Sequence, residues 1–148
     1  MANVHDVAAY LLQEAGQLTT MKLQKLLYYS QGWSLAWDGV PLFNEELQAW
    51  ANGPVAPAVF RQHRGEFTVS EWPHGDATAL NTDEQETVDA VLDAYGPLTG
   101  QQLADKSHTE RPWLDARGDT APGEASKAKL DLAVMQDYFG GLDQLGDE

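Results

Sequence analysis

Cysteine is absent from this chain of 148 residues. That absence removes disulfide frameworks, thiol nucleophiles and cysteine-based zinc sites together, and it is compatible with a reducing cytosol. Basic residues are scarce: 9 Lys and Arg stand against 23 Asp and Glu, a formal charge of −14. Affinity for nucleic acid rests on Lys and Arg neutralising phosphates, so direct nucleic-acid binding is not expected. No stretch approaches the roughly 18 uninterrupted apolar residues of a membrane-spanning helix. The opening MANVHDVAAYLLQEAG lacks a basic leader and carries charge inside its short apolar run, so it does not read as a signal peptide. A cytoplasmic protein that binds no membrane is the expectation.

Catalytic signatures are missing as well. His5, His63, His74 and His108 are dispersed and form no His-Glu-x-x-His pair. No Gly-x-Ser-x-Gly elbow, P-loop or dinucleotide fingerprint occurs. Asp83, Glu84 and Glu86 fall in the opening turns of a predicted helix, where negative charge suits the helix dipole. Neither a metal nor a cofactor is expected, and nothing singles out a catalytic residue.

What is present is a set of helical signals consistent with one domain over residues 1–148. A first helix is predicted from about Val4 to Glu14, capped by Asn3 and stopped by Gly16, with Val7, Ala8, Leu11 and Leu12 on its inner face. The central signal follows. Leu23, Leu26, Leu27, Ser30, Trp33, Ser34 and Trp37 recur with the helical repeat, Thr19 or Thr20 can cap the start, and Gly39 can end it. Lys22 and Lys25 lie near the start of that helix. Either their methylenes line the core edge with the ammonium in water, or they make a salt bridge or partner contact.

Beyond it, Val40–Phe43 is too Pro-broken for helix, and Glu45–Trp50 and Phe67–Trp72 read as short strands that pair with each other. Phe67 and Val69, with Glu71 next in the alternation, fall on one face of the second. Asn52-Gly53 is a turn pair, and Pro54 is a plausible first residue of a helix running to His63. His74–Leu80 reads as a mobile loop. Thr82–Gln85 is a capping box for a third long helix with Val88, Val91, Leu92 and Tyr95 inside, ended by Gly96-Pro97. Thr99–Gln102 repeats that box before a shorter helix. Thr109–Asp115 is irregular or one turn, anchored by Trp113; Asp119–Glu124 is a loop. A last helix spans about Ser126–Gly140, with a frayed acidic tail at 141–148. The expected fold is mainly α, a single helical domain with a small two- or three-stranded β element.

Two surface features stand out. Arg61, His63 and Arg64 gather at the end of the Pro54 helix, as dipole-matched cations, as a contact site for an acidic surface on a partner, or in a local ion pair with Glu66 or Glu71. Trp50-Ala-Asn-Gly-Pro54 either packs architecturally or presents a rigid turn with an aromatic hot spot. The acidic surface favours solubility and fast encounter with a basic partner.

Several of these segments together resemble a known family. The run Lys22-Leu-Gln-Lys-Leu-Leu-Tyr-Tyr-Ser-Gln31, then Pro41-Leu-Phe43, Ala49-Trp50, Gly53-Pro54-Val55 with Pro57, and later His108, Pro112 and Trp113 are similar in content and order to the Panacea domain. That is the SocA-like antitoxin domain, catalogued earlier as a phage-associated protein, and the resemblance spans about residues 4–115. It implies a non-enzymatic antitoxin that neutralises a cognate protein toxin by direct complex formation, the toxin being encoded by the adjacent gene. The alternatives it allows are a proteolytic adaptor that delivers a toxin to an AAA+ protease, or a transcriptional autoregulator. Trp50, Asn52, Arg61, His63, Arg64 and Trp113 are the candidate partner-binding residues. Residues 65–80 and 117–125 match no part of the family pattern and are candidates for partner choice.

Overall fold

A 19-residue helix, α2 (Thr20–Asp38), is the axis around which the chain is wrapped. Thr19 caps it by accepting from the Lys22 amide, and Gly39 ends it in the left-handed conformation at φ 72°. The sequence predicts one apolar stripe. Instead every residue from Leu23 to Leu35 is buried, so α2 is enclosed on all sides. Its polar side chains therefore need partners inside the protein. Trp37, placed on the stripe by its spacing, lies 40% exposed where the helix emerges, stacked on Trp33.

The computed structural model describes residues 2–145. Seven α-helices and two small antiparallel sheets are found among them. The chain is mainly α, as the sequence implies. Helix α1 (Val4–Ala15) opens with a reciprocal capping box between Asn3 and Asp6 and buries Val7, Ala8, Leu11 and Leu12. Around α2 pack α1, α4 (Thr82–Tyr95), α5 (Gly100–Ser107) and α7 (Leu132–Gln144). Between these come α3 (Pro57–His63) and α6 (Arg111–Arg117). Phe139 of α7 rests on Gly32 in the middle of α2, where a Cβ would run into the ring. No helix among the described residues is long and apolar enough to cross a membrane.

Strand pairing differs from the expectation. Strand β1 (Leu18–Thr19) pairs with β4 (Thr68–Val69), while β2 (Gln48–Trp50) and β3 (Gly53–Val55) form a separate hairpin. Phe67, predicted to share a face with Val69, does not share its burial: Val69 is buried while Phe67 is 78% exposed, and only its carbonyl is engaged, accepting from the Thr20 amide. Pro54 belongs to β3, and the helix begins at Pro57, the first helical position that tolerates a missing N–H.

Helix ends also move. Asn81 with Glu84, not Thr82 with Gln85, makes the capping box of α4, and Gln85 reaches back to the Leu80 carbonyl. Buried Leu80 fixes that register. The box of Thr99 and Gln102 forms on α5 as read. Thr109–Asp115, read as irregular or one turn, contributes most of the longer, two-turn α6. The final helix starts at Leu132 because Asp131 caps it, and residues 128–130 run instead along β2, with Ala49 and Leu130 amides donating to Ala128 and Leu47 carbonyls. It continues through Gly140 and Gly141 to Gln144, so the first part of the predicted frayed tail is helical; residues 146–148 lie outside the described residues. The loop at 74–80 is not a loose insertion. The Asp76 amide donates to Asp6 at 2.9 Å, and Gly75 lies against the backbone of His5.

Candidate functional site

Five polar residues of α2 act as hooks that fix the surrounding chain. Gln24 binds the Ala56 backbone twice, its oxygen accepting from the amide at 2.8 Å and its nitrogen donating to the carbonyl at 3.3 Å. Gln31 does the same for the Pro-Leu-Phe segment: its oxygen accepts from Leu42 and Phe43 amides, and its nitrogen donates to the Phe43 carbonyl. Lys25 donates to the Pro54 carbonyl at 3.0 Å. Tyr28 and Tyr29 donate to the carboxylate of Glu110 at 2.9 and 3.1 Å. The Pro-Leu-Phe segment, the Gly-Pro-Val segment and the residue before α6 thus each have a mechanical partner in α2, whereas Ala49 and Trp50 are held by Arg117 and Trp113.

The β2–β3 hairpin explains why Pro54 is tolerated in a strand. Ala49 pairs with Pro54, yet the Ala49 amide points away, to Ala128. Pro54 therefore occupies a register position where its own N–H would face outward, and no ladder bond is lost. Its outward carbonyl is the one that Lys25 reaches. Gly53 is required here: φ is 113°, and a Cβ would stand 2.7 Å from Lys25 Cε and 2.9 Å from Ser107 Oγ.

Beside this hairpin lies a cleft of about 420 Å³, enclosed by the start of α2, the hairpin, α3 and residues 125–127. Trp50, Val55, Phe60 and Met21 supply apolar walls, with Trp50 and Phe60 in an edge-to-face pair. Gln24, Lys25 and His63 are its buried polar groups, and Asn52, Ser126 and Lys127 line it nearer the surface. Because Ala56 fixes the orientation of the Gln24 amide, its remaining N–H points at His63 Nε2, 3.0 Å away, which must accept. His63 is therefore the neutral Nδ1–H tautomer, and burial holds its pKa below the usual value. Burial also pushes the Lys25 ammonium down, from 10.5 to about 7.

Of the six residues nominated from sequence, Trp50, Asn52 and His63 meet at this cleft. Arg61 and Arg64 are exposed on the solvent side of α3, but His63 turns inward at 4% exposure, so the three do not form one cationic patch. The cause is Gln24, which draws the ring into the core. Trp113 lies beneath the site rather than on its rim. It is 6% exposed, donates to the Trp50 carbonyl at 2.9 Å, and is covered on its faces by the His108 ring and the Arg117 guanidinium. Arg117 in turn donates to the carbonyls of Ala49, Ala121 and Glu124, which pins the 121–124 loop to β2.

Sequence reasoning missed Lys25 as a buried cation, Arg117 as a buried clamp and Glu110 as a buried acid. Glu110 is 1% exposed, and burial pushes its carboxyl up from 4.5 to about 7 despite the tyrosine hydrogen bonds. The available signal was the twin tyrosine in an otherwise leucine-rich face, since buried phenols call for an acceptor. Among the described residues no group of three or more His, Asp or Glu side chains is placed to hold a metal ion.

Fold and site together describe a mainly helical protein with a polar-floored cleft beside a rigid hairpin. The chain belongs to the Antitoxin SocA-like, Panacea domain family, which it matches over residues 23–114. It is 31% identical over 124 residues to a protein named Antitoxin SocA from Caulobacter vibrioides (strain NA1000 / CB15N), an alignment covering 72% of this chain. The chain spans 66% of that relative's length. No solved structure matches it.

Proposed function

We propose that this protein is an antitoxin that neutralises a cognate protein toxin by forming a direct complex with it. The observation that carries this reading is membership of the SocA-like Panacea family over residues 23–114, supported by the resemblance to Antitoxin SocA. The toxin is encoded by the neighbouring gene. The contact face comprises the hairpin turn, with Trp50 and Asn52, and the outer side of α3, with exposed Arg61 and Arg64. A rigid turn with a Trp at its edge is the geometry of an interaction hot spot. Trp113 and Arg117 hold that turn from below.

The test is co-expression with the neighbouring reading frame and purification on a tag carried by this chain. A stoichiometric partner that halts growth when expressed alone is expected. Toxin half-life is followed in the same cells: silencing with the toxin still present supports sequestration, whereas accelerated loss of the toxin would replace this reading with delivery to a protease. A neighbour that is harmless alone and does not co-purify overturns the assignment.

A further inference from the structure

We propose that the cleft beside the β2–β3 hairpin binds a small organic anion, with a carboxylate seated near Lys25 and an aromatic or other apolar body against Trp50 and Phe60. This ligand is not the toxin, and the inference does not rest on the antitoxin reading.

The first support is the charge of the lining. In a chain with 23 acids and 9 bases, a lining of thirteen residues drawn at random would carry about two carboxylates. This one carries none; it has Lys25, Lys127 and His63 instead. The second is the state of Lys25. It is 2% exposed, its ammonium has three N–H donors, and the Pro54 carbonyl is its one hydrogen-bond acceptor among the described residues. No carboxylate there forms an ion pair with it. A buried cation without a counter-ion is costly, and the fall of its pKa to about 7 is the expected response. An anion entering the cleft supplies the missing charge and restores the protonated form. Lys22, one turn earlier, makes the contrast clear: it ends on the Gly96 carbonyl at 2.7 Å and does not line the cleft. The third is shape. At about 420 Å³, with apolar walls and a few convergent polar groups, the cleft fits the usual dimensions of a small-ligand site.

The experiment titrates the whole chain with indole-3-acetate and, separately, tryptamine. These probes share one ring system and carry opposite charges. Calorimetry and the indole N–H resonances give the affinity and location. The net charge of −14 favours tryptamine everywhere except at a site built for an anion. Saturable indole-3-acetate binding below about 1 mM, a shifted Trp50 resonance and no matching tryptamine binding are expected. Lys25→Met is expected to weaken indole-3-acetate about tenfold or more, and Lys127→Glu several-fold, while Lys106→Glu, beside the separate cleft at Trp33 and Trp37, leaves it unchanged. Circular dichroism checks each variant. Lys127 is exposed, so its variant decides the matter if Lys25→Met does not fold. Equal binding of both probes, tighter tryptamine binding, saturation by neither, or indifference to Lys127→Glu would each overturn the proposal. None of these outcomes bears on whether a toxin co-purifies.

Discussion

Glu110 and Lys25 are two ionisable groups enclosed by the same fold, without opposite charges to pair with among the described residues. Burial displaces both toward neutrality: the acid up from 4.5, the base down from 10.5, each to about 7. For Glu110 the sign is definite. The folded pKa lies above the unfolded one, so its neutral form costs nothing below pH 4.5 and stability falls as pH rises toward 7. The displacement amounts to about 3 kcal/mol once the group is ionised in both states. Glu110→Gln keeps hydrogen-bonding capacity toward Tyr28 and Tyr29 without the charge. In urea titrations it is expected to exceed the parent by about 1–2 kcal/mol near pH 8, the gain shrinking toward zero near pH 5. A gain independent of pH would mean the carboxyl is not the titrating group.

Gly32 makes the corresponding point for an element. Glycine inside a helix ordinarily costs about 1 kcal/mol relative to alanine, so substitution there normally stabilises. Here α7 lays Phe139 across α2, leaving no room for a methyl group. Gly32→Ala is expected to destabilise by about 2 kcal/mol or more, read as a lowered thermal midpoint, and Gly140→Ala, with open space around it, to be neutral or stabilising. Equal effects would remove the close crossing of the two helices from the account. Sequence patterning found the helices themselves, since caps at Asn3, Thr19 and Thr99 and stops at Gly16 and Gly39 are local chemistry. It failed where the decision was tertiary. Pro54 looked like a helix start until the Ala49–Pro54 register made its missing N–H harmless, and Ser126–Asp131 looked helical until β2 offered it hydrogen bonds. The cleft was half legible: Trp50, Asn52 and His63 were singled out, but the roles of Lys25 and Arg117 depend on carbonyls supplied from distant segments.

Net charge acts on the molecule as a whole. At −14 the surface attracts basic partners through water before any contact forms. The association rate with the co-purified toxin, if its contact face is basic, is expected to fall by about tenfold or more between low salt and 0.5 M salt, while the dissociation rate changes far less. Stopped-flow mixing across that range measures both, and a salt-independent association rate would assign recognition to the apolar contacts alone. The placement of α1 and α7 has a practical side. The family match covers residues 23–114, yet Phe139 and Met135 of α7, and Val7 and Leu11 of α1, belong to the same buried core as Leu23, Tyr28 and Trp33. A fragment cut to the matched span would open α2 on two sides and behave as a sticky, partly folded peptide. Dissecting this protein therefore calls for point substitutions in the intact chain, and any binding lost on trimming its ends says nothing about where a partner sits.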